Sequence, residues 1–444
     1  MTLPFVMPSP FNFQKRVLAH RVPSFGLSIG NQPAASDYYE TQYLTVGGES
    51  NKHAAYGGFL RSRPLPVTPS VAPANYLLVN MEQEVHIAIA QGITGFIMDI
   101  QGIADGLSAT GSLATMLQAA ASVDPRFWVV PMFDMNALVG LTQTQAVQLL
   151  ATYATQATWP NIARLPDGRM LFSAFDATLQ PLSWWQAVIA AANLQGVDVA
   201  FIPVLLGDPA TNPLAAVSHG YGQWGTATAA AAQARPPAMM MPILSQQFRP
   251  DDQVFWEAGN FDAYVASWMA AINANQPYVQ IVTWNDFSES GQIQPFTDSS
   301  LALNIGTGYS DLCAYYATWF LSGVQPAISR DVVYWCYRKM SSTAAHPSQP
   351  DAFKIVAPGV ETDNIEVLAF LTAPGTISIG ETSLAAPAGI TSLKVPVAPG
   401  QPVFALDRDG SDVFRATGPV TIYGPAGSPA GTLDMTYWSG SISN

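Results

Sequence analysis

The sequence predicts an α/β fold, a (β/α)8 barrel of the TIM type, followed by a C-terminal all-β sandwich. Two observations predict it. Eight apolar runs bounded by turn signals are separated, for the most part, by segments with helical spacing. Strands that read as continuously apolar are buried on both faces, as in a parallel sheet covered by helices. After about Val332 the helical spacing stops, and short alternating segments spaced by Pro and Gly take over, which is the pattern of a sandwich. A chain of 444 residues has room for both.

The expected barrel strands, in order, are Arg16–Val22, Gly92–Ile100, Phe127–Met135, Arg169–Asp176, Val199–Gly207, a weaker His219–Trp224, Ala238–Gln247 and Tyr278–Phe287. Helices are expected at Tyr76–Gln91, closed by Gly92, and at Leu113–Ser122, Thr142–Ala154, Trp184–Ala192, Phe261–Ala274 and Leu312–Leu321, the last closed by Gly323. Thr142 is a natural cap, with Gln145 three residues on. The alanine-rich Thr226–Ala234 is also expected to be helical. An open doubly wound sheet is the alternative, but no Gly-rich phosphate loop follows the first strand.

Residues 1–340 are assigned to the barrel, 341–350 to a polar linker containing Pro347, and 351–444 to the sandwich, with Ile365–Thr372, Thr376–Ile379, Thr391–Val397 and Val413–Ala416 as strands. Between the first strand and its helix lies a long insertion, residues 29–74. It is polar, rich in Pro and Gly, and aromatic through Tyr38, Tyr39, Tyr43, Tyr56 and Phe59. Loops of that length are usually functional or disordered.

Composition removes several function classes. The net charge is −13, from 18 basic and 31 acidic residues, and no lysine occurs between Lys52 and Lys339. Without a basic patch there is no counterion release to drive nucleic-acid binding, and no attraction to an anionic membrane. No apolar run is long enough to span a bilayer. Met1–Phe13 lacks a basic stretch followed by an apolar one, so no secretory signal is expected there, and a secreted or periplasmic location would require its earlier removal. Cys313 and Cys336 are too few for a disulfide framework. They read as two buried thiols, with a single bridge between them as the alternative. No His pair has metal-ligand spacing, so neither metal nor cofactor is expected. A monomer is the expected state.

Barrel enzymes place their chemistry at the C-terminal strand ends. Those ends carry His20, Asp99, Asp134 with Asn136, Asp176, Trp224, Gln246, and the run Trp284-Asn285-Asp286-Phe287-Ser288-Glu289-Ser290. Aromatic rings for the apolar faces of sugars, with amides and carboxylates for hydroxyls, are what a saccharide site needs. Taken singly, Asp99 and Asp176 read equally as helix caps or ion-pair partners, and His20 as a structural histidine. The last run is different, since so many polar groups in seven residues make a poor core. Asp286 and Glu289 supply the two carboxylates that glycoside hydrolysis requires. Three residues apart on a chain leaving a strand, they span roughly 5 to 10 Å, which admits both retaining and inverting geometries.

Thr283 to Ser290 (TWNDFSES) resembles the strand-eight signature of glycoside hydrolase family 71, the α-1,3-glucanases or mutanases. Further pieces follow in the family's order: Val17–His20, Gly92–Phe96, Phe133–Asn136, Met240–Pro242, Asp311–Arg338, and Asp363 to Pro374 in the C-terminal part. The insertion at 29–74 departs from that pattern. The resemblance implies endo-hydrolysis of α-1,3-glucan with inversion, Glu289 serving as general acid and Asp286 as base. It implies that His20, Asp99, Asp134, Asn136, Gln246, Asn285 and Ser290 hold sugar hydroxyls, and that Trp224, Trp256, Trp284 and Phe287 stack on the sugar. The expected partner is a polysaccharide, an α-glucan. Two rivals stand beside this: a hydrolase of the same fold acting on another α-linked polysaccharide, such as an exopolysaccharide or α-mannan, and a non-catalytic polysaccharide-binding protein.

Overall fold

The computed structural model describes residues 3–155, 157–206, 213–224, 240–297, 306–346, 349–356, 362–428 and 433–443. Eight parallel strands form the first unit: β1 (Arg16–Arg21), β2 (Gly95–Ile100), β3 (Trp128–Asp134), β4 (Met170–Phe175), β5 (Val199–Leu205), β6 (Gly222–Gln223), β7 (Met240–Leu244) and β8 (Tyr278–Val282). Their hydrogen-bonded order is β6-β5-β4-β3-β2-β1-β8-β7, and β6 and β7 lie side by side at the seam, so the barrel is nearly closed. The covering helices are α1 (Tyr76–Ala90), α2 (Ser112–Val123), α3 (Gln143–Tyr153), α4 (Leu182–Leu194), α5 (Asp262–Ala274) and α6 (Gly308–Ser322). α3 opens on the expected capping box, Thr142 Oγ1 accepting from the Gln145 amide while the Gln145 side chain reaches back. The expected helix at Thr226–Ala234 lies outside the described residues.

Strand parity sets what reaches the rim. Leu18, Ile97, Val130, Met132, Leu171, Ile202 and Val204 pack together inside the barrel. Val17, Ala19, Phe96, Met98, Val129, Phe133, Met170 and Phe172 pack outward against the helices. With a period of two, the inward set continues to His20, Asp99, Asp134 and Phe175 at the C-terminal ends. Near the seam, Gln280 crosses the interior and donates to the Gln223 carbonyl at 2.7 Å. Gly222 makes room for it, since a Cβ there would stand 2.0 Å from Gln280 Oε1.

The insertion is folded and anchored. Asn31 and Ser70 staple its base with two bonds of 2.7 and 3.1 Å. Arg63, fully buried, grips Asp37 with both terminal nitrogens at 2.8 and 2.6 Å. Arg61 donates to the Leu433 carbonyl at 3.0 Å, and Arg63–Pro64 pairs antiparallel with Phe296–Thr297.

The C-terminal sheets are antiparallel. One has the order β13 (Gly389–Pro396), β10 (Asn364–Leu371), β9 (Val332–Arg338), β16 (Tyr437–Ser443). The other has β12 (Thr382–Ala386), β11 (Gly375–Ile379), β14 (Val403–Arg408), β15 (Ser411–Thr417). β9 reads as continuously apolar because both faces are covered. Val333, Trp335 and Tyr337 face the second sheet, while Val332, Tyr334 and Cys336 join the core that contains α6. The sandwich sheet therefore begins at Val332, ahead of the expected 341–350 linker. Cys313 and Cys336 are both free and buried. Among the described residues no helix is long and apolar enough to cross a membrane.

A buried polar knot joins the two units. Glu257 accepts from Arg338 Nη1 at 2.7 Å, from Tyr437 Oη at 2.6 Å and from the Gly259 amide at 2.7 Å. The Arg338 guanidinium lies 3.8 Å from the centroid of the Tyr437 ring. Removing one partner of such a pair strands the other charge in the interior, at a cost of about 3–5 kcal/mol. Glu257→Ala is accordingly expected to lower the thermal midpoint by several degrees in scanning calorimetry. Glu257→Ala with Arg338→Met is expected to lose less than the sum of the two single changes. Thr142→Ala, which removes only a cap, is expected to cost about 1 kcal/mol.

Candidate active site

β8 ends at Val282, and from Thr283 the chain folds back on itself. The Thr283 amide donates to the Gly291 carbonyl at 2.8 Å, the Gly291 amide to the Asp286 carbonyl at 3.0 Å, and the Asp286 amide to Thr283 Oγ1 at 2.8 Å. Inside this closed loop the strand's alternation no longer holds, which decides the fate of the motif. Trp284 turns toward the helices, fully buried, and donates from Nε1 to Glu84 at 3.2 Å. Phe287 is fully buried in the core beneath the insertion. Neither offers a face to a sugar.

Other expected ligands of the sugar are also spent on protein. Asn285 accepts from the Val22 amide at 2.7 Å and donates to the carbonyls of Val22 and Phe25 at 2.9 and 2.7 Å. It fixes the start of the first loop. Gln246 makes a two-way bond with the Tyr437 backbone at 2.9 and 2.6 Å, and buried Ser290 accepts from Thr436 Oγ1 at 3.2 Å. Both pin the surroundings of the loop after β8 to the chain at Thr436 and Tyr437, where β16 begins. Trp256 is half-buried on a strand beside Gln247–Arg249, with the Arg249 guanidinium 5.1 Å from its ring centroid. For Asn285, Gln246 and Ser290 the sequence places a polar group at a strand end, but the first loop or the second unit takes it.

What remains converges. A cleft of about 450 Å³ is lined by Asp99, Asp134, Phe175, Trp224, Asp286, Ser288 and Glu289 from the barrel, and by Tyr43, Glu49, Lys52 and Phe59 from the insertion. Trp224 is braced edge-on by Phe175 and by His20, with centroids 4.8 and 4.9 Å away. His20 lies beneath it, and burial pulls its imidazole down to about 3, partly opposed by Gln280, so the ring is neutral at ordinary pH. Asn136 stands exposed at the rim, its amide nitrogen 3.4 Å from Asp176.

The carboxylates differ in environment. Asp286 is sealed in the loop, and its Oδ1 accepts from Ser288 Oγ at 2.6 Å and from the amides of Ser288 and Glu289 at 3.1 and 3.2 Å. Burial, reinforced by the neighbouring Glu289, nonetheless pushes its pKa up to about 7. Asp99 is held well above the usual carboxylate range by burial, then by Asp134 and Asp286. Asp134 is raised by burial too, against two backbone amides that stabilise its charge. Glu289 is tied on both oxygens, to Arg249 Nη2 at 2.7 Å and to Gln247 Nε2 at 2.6 Å. Asp286 and Glu289 thus stand close together with unlike partners, the first a hydroxyl and two backbone amides, the second a guanidinium and a side-chain amide.

Sequence reasoning missed Arg249, which sits two residues beyond Gln247 on a short antiparallel strand. It also missed the insertion's Tyr43, Glu49, Lys52 and Phe59, which no strand-end rule can reach. The aromatic richness of residues 38–59 was the available signal.

The fold matches that of a GH99 endo-alpha-mannosidase from Bacteroides thetaiotaomicron with a TM-score of 0.52, over 69% of this chain and 97% of that one, at 15% identity. In sequence, the chain is 27% identical over 173 residues to a mutanase of Penicillium rubens, covering 34% of this chain and 37% of that protein. It is 22% identical over 246 residues to the ascus wall endo-1,3-alpha-glucanase of Schizosaccharomyces pombe, covering 50% and 55%. A glucan endo-1,3-alpha-glucosidase of the same yeast aligns at 22% identity over 78% of this chain and 87% of its own length. The chain thus spans about a third to a half of the first two relatives. The model of glycosyl hydrolase family 71 matches residues 71–443, leaving β1 and almost all of the insertion ahead of the match. With that region covering both the barrel from α1 onward and the sandwich, the chain belongs to glycosyl hydrolase family 71.

Proposed function

We propose that the protein hydrolyses an α-glucan, cutting α-1,3-glucosidic bonds within the chain by a two-carboxylate, inverting reaction. The observation that carries this reading is the pair Asp286 and Glu289, set in one cleft with opposite electrostatic support. Aromatic walls, with Glu49, Asp134 and Glu289 set against Lys52, suit an uncharged polymer, since an anionic glycan would be repelled. The relatives named as mutanase and endo-1,3-alpha-glucanase point the same way.

The resemblance assigns Glu289 as acid and Asp286 as base. The electrostatics of the cleft favour the opposite division. Burial and the neighbouring Glu289 push the Asp286 pKa up to about 7, whereas Glu289 is held by the Arg249 guanidinium and the Gln247 amide. In this division Asp286 gives its proton to the departing glycosidic oxygen, and Glu289 takes one from the water attacking the opposite face of the ring. Asp99, whose pKa burial raises, faces the cleft as a partner for a sugar hydroxyl, and Trp224 offers its face to the ring.

Reducing-end release from insoluble α-1,3-glucan is the direct test. Wild type is expected to be active, and Asp286→Asn and Glu289→Gln are each expected to lose at least about a hundredfold. No release by wild type would sink the linkage. The sign of the pH profile separates the two divisions. With Asp286 as acid, kcat/KM falls as pH rises through about 7, because the proton to be donated is gone; with Asp286 as base it would rise over that interval. Rescue gives an independent check. Asp286→Asn is expected to retain activity on α-glucosyl fluoride, whose leaving group needs no proton, while Glu289→Gln is expected to stay slow until azide is added.

The insertion favours a second reading, the same chemistry on another α-linkage, because cleft walls that precede the family match reshape what enters. A panel of α-linked polysaccharides decides between them.

A further inference from the structure

A second cavity of about 430 Å³ shares Ser24 and Tyr43 with the cleft as a common wall. The insertion supplies Tyr38 and Tyr43 to it, and α1 supplies Tyr76 and Asn80. Its floor holds Arg21 and Glu84, both buried. The Arg21 guanidinium gives Nε and Nη2 to Glu84, each at 3.0 Å, but Nη1 meets only the Met98 sulfur at 3.8 Å. A guanidinium has five N–H donors, so donors remain for an incoming oxygen. Asp105 lines the same cavity as an acceptor. Asn80 donates to Ser28 Oγ at 2.6 Å, which fixes its amide in place.

The chemistry of this cavity selects its occupant. Glu84 cancels the charge of Arg21 and Asp105 adds a negative one, which disfavours phosphates and other anions. Tyrosine faces beside mixed donors and acceptors suit an uncharged, polyhydroxylated ring. Because Ser24 and Tyr43 line both, the cavity adjoins the cleft that holds Asp286 and Glu289. Resting on the glucan reading above, we propose that this cavity is a distal subsite for a further glucosyl unit of the chain being cut, so that residues 29–43 set the preferred substrate length.

The test uses α-1,3-linked gluco-oligosaccharides of increasing length with the full-length protein. Tyr38→Ala removes one stacking face; Thr110→Trp, at an exposed lining position, fills the cavity from outside. Both are checked for an unchanged thermal midpoint. The readouts are the ratio of kcat/KM for the longest to the shortest oligosaccharide cleaved, and the Kd of a hexasaccharide in the Asp286→Asn background. Both variants are expected to reduce the length ratio and weaken hexasaccharide binding by about fivefold or more, the scale of one stacking contact. A length ratio and Kd unchanged in both variants would overturn the subsite while leaving the hydrolysis reading intact. Wild type that cleaves no oligosaccharide, yet binds the hexasaccharide in a manner both variants weaken, would uphold the subsite and overturn the hydrolysis reading. Binding that neither variant affects, in an inactive wild type, would overturn both.

Discussion

The structure turns on the closed loop that follows β8. A carboxylate is kept partly protonated near neutrality by exclusion of water and by a neighbouring like charge, and both hold only while the backbone around it stays in place. Here immobility comes from side-chain amides spent on main chain. Asn285 locks the loop to the chain leaving β1; Gln246 and Ser290 lock its flank to β16. Once those bonds are made, Asp286 has little freedom to move toward solvent, and its raised pKa follows from its position. Asn285 and Gln246 commit their side-chain amides to that rigidity.

The second unit is therefore more than an appendage to the barrel. The odd residues of β9 build the sandwich, its even residues help close the barrel's outer core, and Arg338, one residue further in the even set, ends in the knot with Glu257 and Tyr437. The insertion plays the matching part on the opposite flank. Arg61 binds the backbone at Leu433, Gln292 donates to Ser62 Oγ at 3.0 Å, and the same insertion carries aromatic rings into the cleft. Three segments remote in sequence thus meet around one loop, each contributing bonds that the others cannot.

How much of this the sequence reveals depends on whether a residue's fate is set locally. Most of the barrel strands are legible because a strand buried on both faces leaves an unbroken apolar run, β6, only Gly222–Gln223, being the weak one; Asp99, Asp134 and Trp224 are legible because strand-end position and parity place them together. Trp284, Phe287, Asn285 and Gln246 carry the same kinds of side chain at the same ends, but their direction is set by a loop that folds back and by partners more than a hundred residues away. Sequence spacing holds no record of that. Arg249 and the insertion's cleft residues lie off the barrel's repeating pattern, so no periodicity announces them. The two thiols, by contrast, read correctly as apolar filling, because burial alone explains them.

The pairing of β16 with β9, and its bonds to Gln246, carry a consequence for the order in which the molecule comes into being. Synthesis delivers Asp286 and Glu289 about 150 residues before Tyr437, and chains begin to fold from the N-terminal side as they emerge. The barrel strands can pair while the C-terminal segment is still being made. The loop that bears the carboxylates then waits, its flank unsecured, until the far strand arrives and pairs with β9 at the edge of the sandwich sheet. The cleft that bears the carboxylates is thus completed late, as a by-product of docking, and a nascent chain has the shape of the barrel well before its loop is fixed.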